Sequence, residues 1–212
     1  MITHAFYRGN FGHKAAVLFQ HETDCNITDL NNYHKKDNTN ENDYTHAVIF
    51  LSDISTHGFQ DLAQSFRDRG ICWTSVYVSP ASLRIGPLVK ANGICFECSS
   101  NRHKSYPGMS SNTNIENFIN QSRKLNIDFE SAGFLPSMID MAVSESCRQL
   151  ENKELKPGFI RKIDLLNFQV SSSIATSVHG CSCCKLTSQE NPGERFYLKL
   201  KAETNFLFKE QL

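Results

Sequence analysis

The 212-residue sequence has no excess of charge of either sign. Lysine plus arginine and aspartate plus glutamate number 22 each, so the formal net charge is zero. A chain that binds nucleic acid or an anionic membrane through its overall charge carries a basic excess. We therefore expect no nucleic-acid partner and no membrane partner, and the share of apolar residues, 40%, is that of an ordinary globular protein.

Long apolar runs are also missing. None approaches the ~20 residues that a membrane helix needs, and the opening "MITHAFYRGN" lacks the charged and then apolar plan of a signal peptide. We expect a cytoplasmic protein. Its eight cysteines are then expected to be thiols, because disulfides form in oxidising compartments.

Two groups of catalytic motifs are absent. The sequence contains neither the phosphate loop G-x-x-x-x-G-K-[ST] nor the G-x-S-x-G elbow of hydrolases. Gly9 and Gly12 stand in a possible strand–turn–helix segment but do not supply the G-x-G-x-x-G of a dinucleotide site. We interpret them as a structural turn, with a nucleotide site as the less favoured alternative.

The hydrophobic pattern of residues 46–78 predicts a β-α-β unit. "HAVIFLSD" (46–53) reads as a strand buried on both faces, and "ICWTSVYV" (71–78) as a second strand. Between them, Phe59, Leu62 and Phe66 form one apolar helical stripe that ends near Gly70. A right-handed crossover would make the pair parallel, which predicts a single α/β domain over residues 1–212.

Other segments have less distinctive patterns. Residues 31–44 predict a polar loop, and residues 135–150 a helix with Cys147 on its apolar face. "IDLLNFQV" (163–170) predicts one strand and "RFYLKLKAETNFLF" (195–208) one or two more. A capping box at Thr113 and Glu116 predicts a short helix before residue 135.

Four cysteines form two Cys-x-x-Cys pairs, Cys95 with Cys98 and Cys181 with Cys184. Two such pairs suit a closed tetrahedral zinc site, although 82 residues, 99–180, separate them. Substitution of a ligand by Cys183, His103 or His179 stays open. Separate buried thiols or a redox pair are the alternatives to a metal.

Two segments resemble ThiF-type proteins of thiazole and oxazole peptide biosynthesis. "ICWTSVYVSPASLRIGPLVKANGICFEC" (71–98) has the Trp-containing strand, the Gly-Pro-Leu step of residues 86–88 and the first cysteine pair. "LLNFQVSSSIATSVHGCSCC" (165–184) is similar to the returning strand that delivers the second pair. The resemblance covers residues 46–185 and points to the zinc-binding partner subunit of microcin cyclodehydratases.

The resemblance implies a Rossmann-like sheet of the ubiquitin-activating-enzyme type, with structural zinc and no catalytic residues. Residues 89–185 would be a helical excursion and returning strand pinned by the metal. The expected partners are a YcaO-type subunit that uses ATP to form azolines in a precursor peptide, that peptide, and an FMN-dependent dehydrogenase, in a hetero- or homo-oligomer. We expect no N-terminal winged-helix peptide-binding domain.

Two further functions stay open at this point. One is an ATP-dependent adenylating enzyme of the same fold, which tight ATP binding by the isolated chain would favour. The other is a zinc-stabilised adaptor or nucleic-acid-binding protein, which would need a basic face that the composition does not reveal.

Overall fold

A computed structural model describes residues 2–33, 44–52, 59–79, 82–91, 93–104, 133–165, 167, 169–178 and 181. Within these residues the chain forms a mixed α/β fold, as the sequence predicts. The elements in chain order are β1 (Thr3–Arg8), α1 (Gly9–Thr23), β2 (Asn26–Asp29), β3 (His46–Leu51), α2 (Phe59–Asp68), β4 (Cys72–Ser79), β5 (Ser82–Ile85), α3 (Phe96–Lys104), α4 (Pro136–Glu151), β6 (Phe159–Asp164) and β7 (Val170–Ile174).

The described strands form one seven-stranded sheet in the order β2-β1-β3-β4-β5-β6-β7. Strands β2, β1, β3 and β4 run parallel to one another. From β4 onward each neighbouring pair is antiparallel. The parallel pairing of β3 with β4 around α2 confirms the predicted β-α-β unit, and the switch to antiparallel strands was not predicted.

Both faces of the sheet centre are covered, which explains the unbroken apolar run of β3. On one face Val48 and Phe50 pack in the core that α1 and α4 cover. On the other face Ala47 and Ile49 pack in the core that includes Leu62 and Phe66 of α2. A strand between two helical layers needs apolar residues at successive positions rather than alternate ones.

Helix α4 begins with Pro136 in its first turn and lies close to the predicted bounds. Cys147 was predicted to be a core residue, and its side chain is only half-buried, packed against the edge of the α1/α4 core. The helix is 16 residues long. None of the described helices is long and apolar enough to span a lipid bilayer.

A buried carboxylate ties α4 to the antiparallel half of the sheet. Glu145 is buried and accepts hydrogen bonds from Arg148 at 2.5 Å and from Arg161 of β6 at 3.2 Å. One turn later, Gln149 accepts a hydrogen bond from the Thr74 hydroxyl at 2.9 Å. A buried charge is tolerated where such partners replace water, so this network fixes α4 over β4 and β6.

The prediction of one strand over residues 163–170 is wrong. Strand β6 ends at Asp164, and β7 begins at Val170 as its antiparallel neighbour. The Asp164 carboxylate accepts the Asn167 backbone N–H at 3.3 Å, and the Asn167 side-chain oxygen accepts the Gln169 backbone N–H at 3.0 Å. Aspartate and asparagine stabilise turns through such local hydrogen bonds, and here they outweigh the apolar character of the segment.

Three predictions fall partly or wholly outside the described residues. They are the polar loop from residue 34 to residue 43, the short helix that starts near Thr113, and the strands over residues 195–208. These stay predictions from the sequence.

Candidate metal centre

The Gly-Pro-Leu step carries the chain from β5 toward the first cysteine pair. Gly86 has φ of +116°, and a Cβ atom there would lie 2.5 Å from the Phe159 carbonyl oxygen and 2.8 Å from the Ile160 Cα. Both the backbone angle and the close approach of β6 therefore require glycine. Leu88, two residues later, is fully buried and extends the core toward the cysteines.

Backbone hydrogen bonds then bring the two cysteine-bearing parts of the chain together. Leu88 donates its N–H to Phe159 at 2.8 Å, and Gly158 donates its N–H to Leu88 at 2.7 Å. Ala175, just past β7, donates to the Gly158 carbonyl at 2.9 Å. Gly158 has φ of +85°, and a Cβ atom there would collide with the Ala175 carbonyl oxygen. The segments that lead into Cys95 and Cys181 thus meet through Gly158.

Cys95 immediately precedes α3. Its sulfur accepts the backbone N–H of Cys98 at 3.4 Å, which is the contact that a capping side chain makes with the third residue of a helix. Phe96, the first residue of α3, packs on Trp73 with ring centroids 5.8 Å apart. Phe96 therefore anchors the start of α3 on the sheet. The partial positive charge at the N-terminal end of α3 favours the negatively charged thiolate form of Cys95.

Three thiols form a compact cluster. Cys95 and Cys98 are 3% and 0% exposed, and Cys181 is half-buried. Their sulfurs all lie within 4.8 Å of one another, with the Cys95 and Cys181 sulfurs 3.6 Å apart. A tetrahedral zinc ion with Zn–S bonds of about 2.3 Å separates its sulfur ligands by roughly 3.8 Å. The three thiols therefore fit three corners of such a site, and their softness suits zinc.

A second N–H···S hydrogen bond joins the two segments at the cluster. The backbone N–H of Val178 points at the Cys98 sulfur at 3.2 Å. Donors of this kind stabilise the charge of a metal-bound thiolate and fix its orientation. The cluster thus has outer partners as well as candidate ligands.

The structure brings together three of the four predicted ligands, Cys95, Cys98 and Cys181. Cys184 lies outside the described residues, as do the alternatives Cys183 and His179. His103 belongs to α3, but its side chain is not among those described. The remaining described thiols, Cys25, Cys72 and Cys147, do not belong to the cluster.

Two residues near the cluster, Arg102 and Gly158, were not predicted to matter. Arg102 hydrogen-bonds the backbone of Thr176, shortly before Cys181. Gly158 has no Cβ atom, which allows the backbone of Ala175 to approach it closely. A prediction of α3 would have pointed to Arg102, because residues four apart share a helix face. The sequence of α3 lacks the apolar period that announces a helix.

Gly12 was predicted to lie in a structural turn, but α1 begins at Gly9 and Gly12 lies inside the helix, packed against β3. A Cβ atom there would lie 2.5 Å from the Phe50 carbonyl oxygen of β3, so glycine allows the helix to approach the sheet. The Gly12 N–H donates to the Ser52 hydroxyl at 3.2 Å. Close packing between helix and strand accounts for this glycine without a phosphate ligand.

Comparison with protein-family models gives no match, and no curated protein matches the sequence. Solved structures do share the fold. The heterocyclase TruD is 14% identical, with a TM-score of 0.54 over 86% of this chain and 27% of that chain. A second heterocyclase, solved with substrate and cofactor, is matched over 25% of its length. This chain therefore spans about a quarter of the length of those heterocyclases.

Two microcin structures are matched over more of their length. A chain of the E. coli microcin synthetase McbBCD complex is 13% identical, with a TM-score of 0.61 over 86% of this chain and 68% of that chain. The microcin C7 biosynthetic enzyme MccB, in complex with N-formylated MccA, is 12% identical, with a TM-score of 0.57 over 86% and 67%. The present chain therefore has the α/β fold found in heterocyclase and microcin synthetase structures.

Proposed function

We propose that this chain is a non-catalytic scaffold subunit of an azole-forming synthetase. The observation that carries the proposal is the shared fold with a chain of the microcin synthetase complex, combined with a thiol cluster that joins the Cys95 and Cys181 segments. Fold alone does not fix function. The cluster adds a chain-specific feature at the two segments that resemble the ThiF-type proteins.

In this proposal zinc is architectural. Cys184 completes a four-thiolate site with Cys95, Cys98 and Cys181, and such a site has no open position for substrate or water. Within residues 89–185 of this single domain, β6 and β7 already belong to the sheet. The metal would fasten α3 to the segment that leads from β7 to Cys181, and the backbone hydrogen bonds at Leu88 and Gly158 already hold the two parts of the chain together. Zinc binding would then stabilise the shape of the surface that partners meet.

The chemistry lies in the partners. A cytoplasmic YcaO-type subunit would use ATP to convert Cys, Ser and Thr of a ribosomal precursor peptide into azolines, and an FMN-dependent dehydrogenase would oxidise these rings. The present chain would hold the YcaO-type subunit in an active arrangement.

Reconstitution tests this role. The chain, the YcaO-type subunit encoded with it and the precursor peptide are combined with ATP, and peptide mass is followed with and without the chain. Each azoline removes one water. We expect dehydration to stop when the chain is left out and to return when it is added back, with both proteins eluting together in size-exclusion chromatography. Undiminished dehydration without the chain would reject the scaffold role.

The second candidate function is ATP-dependent activation of a carboxylate by the chain itself. The observation that favours it is the fold shared with the biosynthetic enzyme MccB. Calorimetry with ATP and magnesium separates the two functions. The scaffold proposal predicts no ATP binding in the micromolar range, whereas micromolar ATP binding would favour the enzyme.

A further inference from the structure

Arg102, in the last turn of α3, binds the backbone just before Cys181. Its Nε donates to the Thr176 carbonyl oxygen at 2.7 Å, and its Nη2 donates to the Ser177 carbonyl oxygen at 2.9 Å. The planar guanidinium offers two donors in a fixed fork, which a lysine ammonium does not. Two adjacent carbonyls are thereby held in one orientation.

Cys98 makes the next contact with this segment, one helical turn earlier in α3. Residues 98 and 102 are four apart and share a helix face, and the Cys98 sulfur accepts the Val178 N–H at 3.2 Å. Helix α3, which carries Cys98 and follows Cys95, thus binds three consecutive residues, 176–178.

The same hydrogen bonds reach the third thiol. Val178, held by Cys98, accepts the backbone N–H of Cys181 at 3.2 Å, and the Cys181 sulfur lies 3.6 Å from that of Cys95. A path of hydrogen bonds therefore runs from Arg102 through the 176–178 backbone to Cys181. Replacing Arg102 should therefore displace Cys181 rather than Cys95 or Cys98.

We propose that Arg102 is a positioning residue of the metal centre, a role that rests on the metal site proposed above. Its two hydrogen bonds hold the Cys181 segment against α3, so that the thiols are arranged before metal arrives. Pre-arranged ligands lose less freedom on binding, and changing the outer partners of metal ligands typically lowers metal affinity about 10–100-fold. Arg102 acts on the ligands through the backbone that it holds.

The test compares Arg102→Met and Arg102→Lys with the full-length wild-type chain. Zinc dissociation constants come from competition with a chromophoric chelator, and cobalt(II) substitution reports thiolate coordination by its charge-transfer absorption. We expect Arg102→Met to bind zinc about 10–100-fold more weakly and Arg102→Lys to fall between it and the wild type. The cobalt spectrum of Arg102→Met should show altered or fewer thiolate bands.

The matched control is Arg69→Met. Like Arg102, Arg69 is an exposed arginine near the C-terminal end of a helix: it directly follows α2. It donates a hydrogen bond of 3.1 Å to the Tyr44 hydroxyl. The hydrogen bond between Arg69 and Tyr44 involves no member of the thiol cluster, Cys95, Cys98 and Cys181. Arg69→Met should therefore leave zinc affinity and the cobalt spectrum unchanged. Circular dichroism at the assay temperature checks that each variant is folded. If Arg102→Met is unfolded, the comparison of zinc affinity uses Arg102→Lys instead.

The outcomes separate the two claims. If the wild type binds zinc and both Arg102 variants bind it equally well, the positioning role is overturned and the metal site stands. If the variants lower thermal stability with and without metal but keep wild-type zinc affinity, Arg102 only stabilises the fold and the inference fails. If the wild type binds no zinc or cobalt, both the metal site and the role of Arg102 are rejected.

Discussion

The sulfur atoms of Cys95 and Cys181 lie 3.6 Å apart, although 86 positions separate the two residues in the chain. Closing so long a loop costs conformational entropy, and contacts around the cluster offset it. Leu88, Gly158 and Ala175 are joined by backbone hydrogen bonds, and α3 binds residues 176–178. Protein contacts therefore bring the thiols together. A bound metal would further stabilise an arrangement of thiols that the fold already forms.

Gly86→Ala should destabilise the protein strongly, because the new Cβ would meet backbone atoms of β6 at 2.5 and 2.8 Å and φ is +116°. We expect the free energy of unfolding to fall by more than about 3 kcal/mol. Gly70→Ala is the control. Gly70 has φ of +67°, but a Cβ atom there would meet nothing within 4 Å, so strain alone should cost about 1 kcal/mol. Equal losses in urea unfolding would contradict the contact argument.

Acid should weaken the fold through His4. Burial, aided by the positive charge of Arg69, lowers the pKa of His4 from 6.5 to about 4, and its Nε2 lies 2.8 Å from the Thr28 hydroxyl. The neutral ring is favoured in the folded state, so its contribution is complete above about pH 6.5 and is lost as pH falls toward 4. Between pH 7 and pH 4.5 we expect a loss of about 2 kcal/mol from this residue.

Urea unfolding of wild type and His4→Gln at several pH values measures that contribution. Whatever the offset between the two proteins at pH 7, the stability of the wild type relative to the variant should decrease as pH falls. A difference that is constant from pH 7 to pH 4.5 would show that His4 does not titrate in this way.

Cys147 should resist alkylation. Burial, with a further effect from the negative charges of Glu151 and Glu22, raises the pKa of this thiol to about 11. The thiolate is the reactive form, so at pH 8 its labelling by iodoacetamide should be on the order of 100-fold slower than that of an unperturbed thiol. Peptide mass spectrometry after timed labelling gives the rate. Labelling as fast as that of free cysteine would contradict the burial argument.

Much of the sheet centre could be predicted because its pattern is unambiguous. The apolar run of β3 reflects burial on two faces, and the stripe of Leu62 and Phe66 reflects one buried helix face. The two Cys-x-x-Cys pairs indicated a metal site because four thiols with this spacing suit a tetrahedral ion, and the structure brings three of them together. Each of these signals is local in the chain and comes from a single physical cause.

The missed elements depend on contacts that periodicity does not report. Helix α3 is largely polar, and its start is fixed by the Cys95 sulfur and by Phe96 on Trp73. The turn after β6 depends on the side chains of Asp164 and Asn167, within a segment that reads as apolar. The role of Arg102 requires knowing that residues 176–178 return to α3. A hydrophobic pattern does not show which distant segments of the chain pack against each other.

The most direct test of the account is the zinc content of purified protein and its cysteine variants, measured by inductively coupled plasma mass spectrometry beside protein concentration. We predict one zinc per chain in the wild type and in Cys72→Ser, whose half-buried thiol lies outside the cluster. Cys98→Ser and Cys184→Ser should lose the metal, since each removes one of the four proposed thiolate ligands. A wild type that holds no zinc when expressed with zinc supplied, or full occupancy in Cys98→Ser, would contradict the account, and full occupancy in Cys184→Ser would remove that residue from the site.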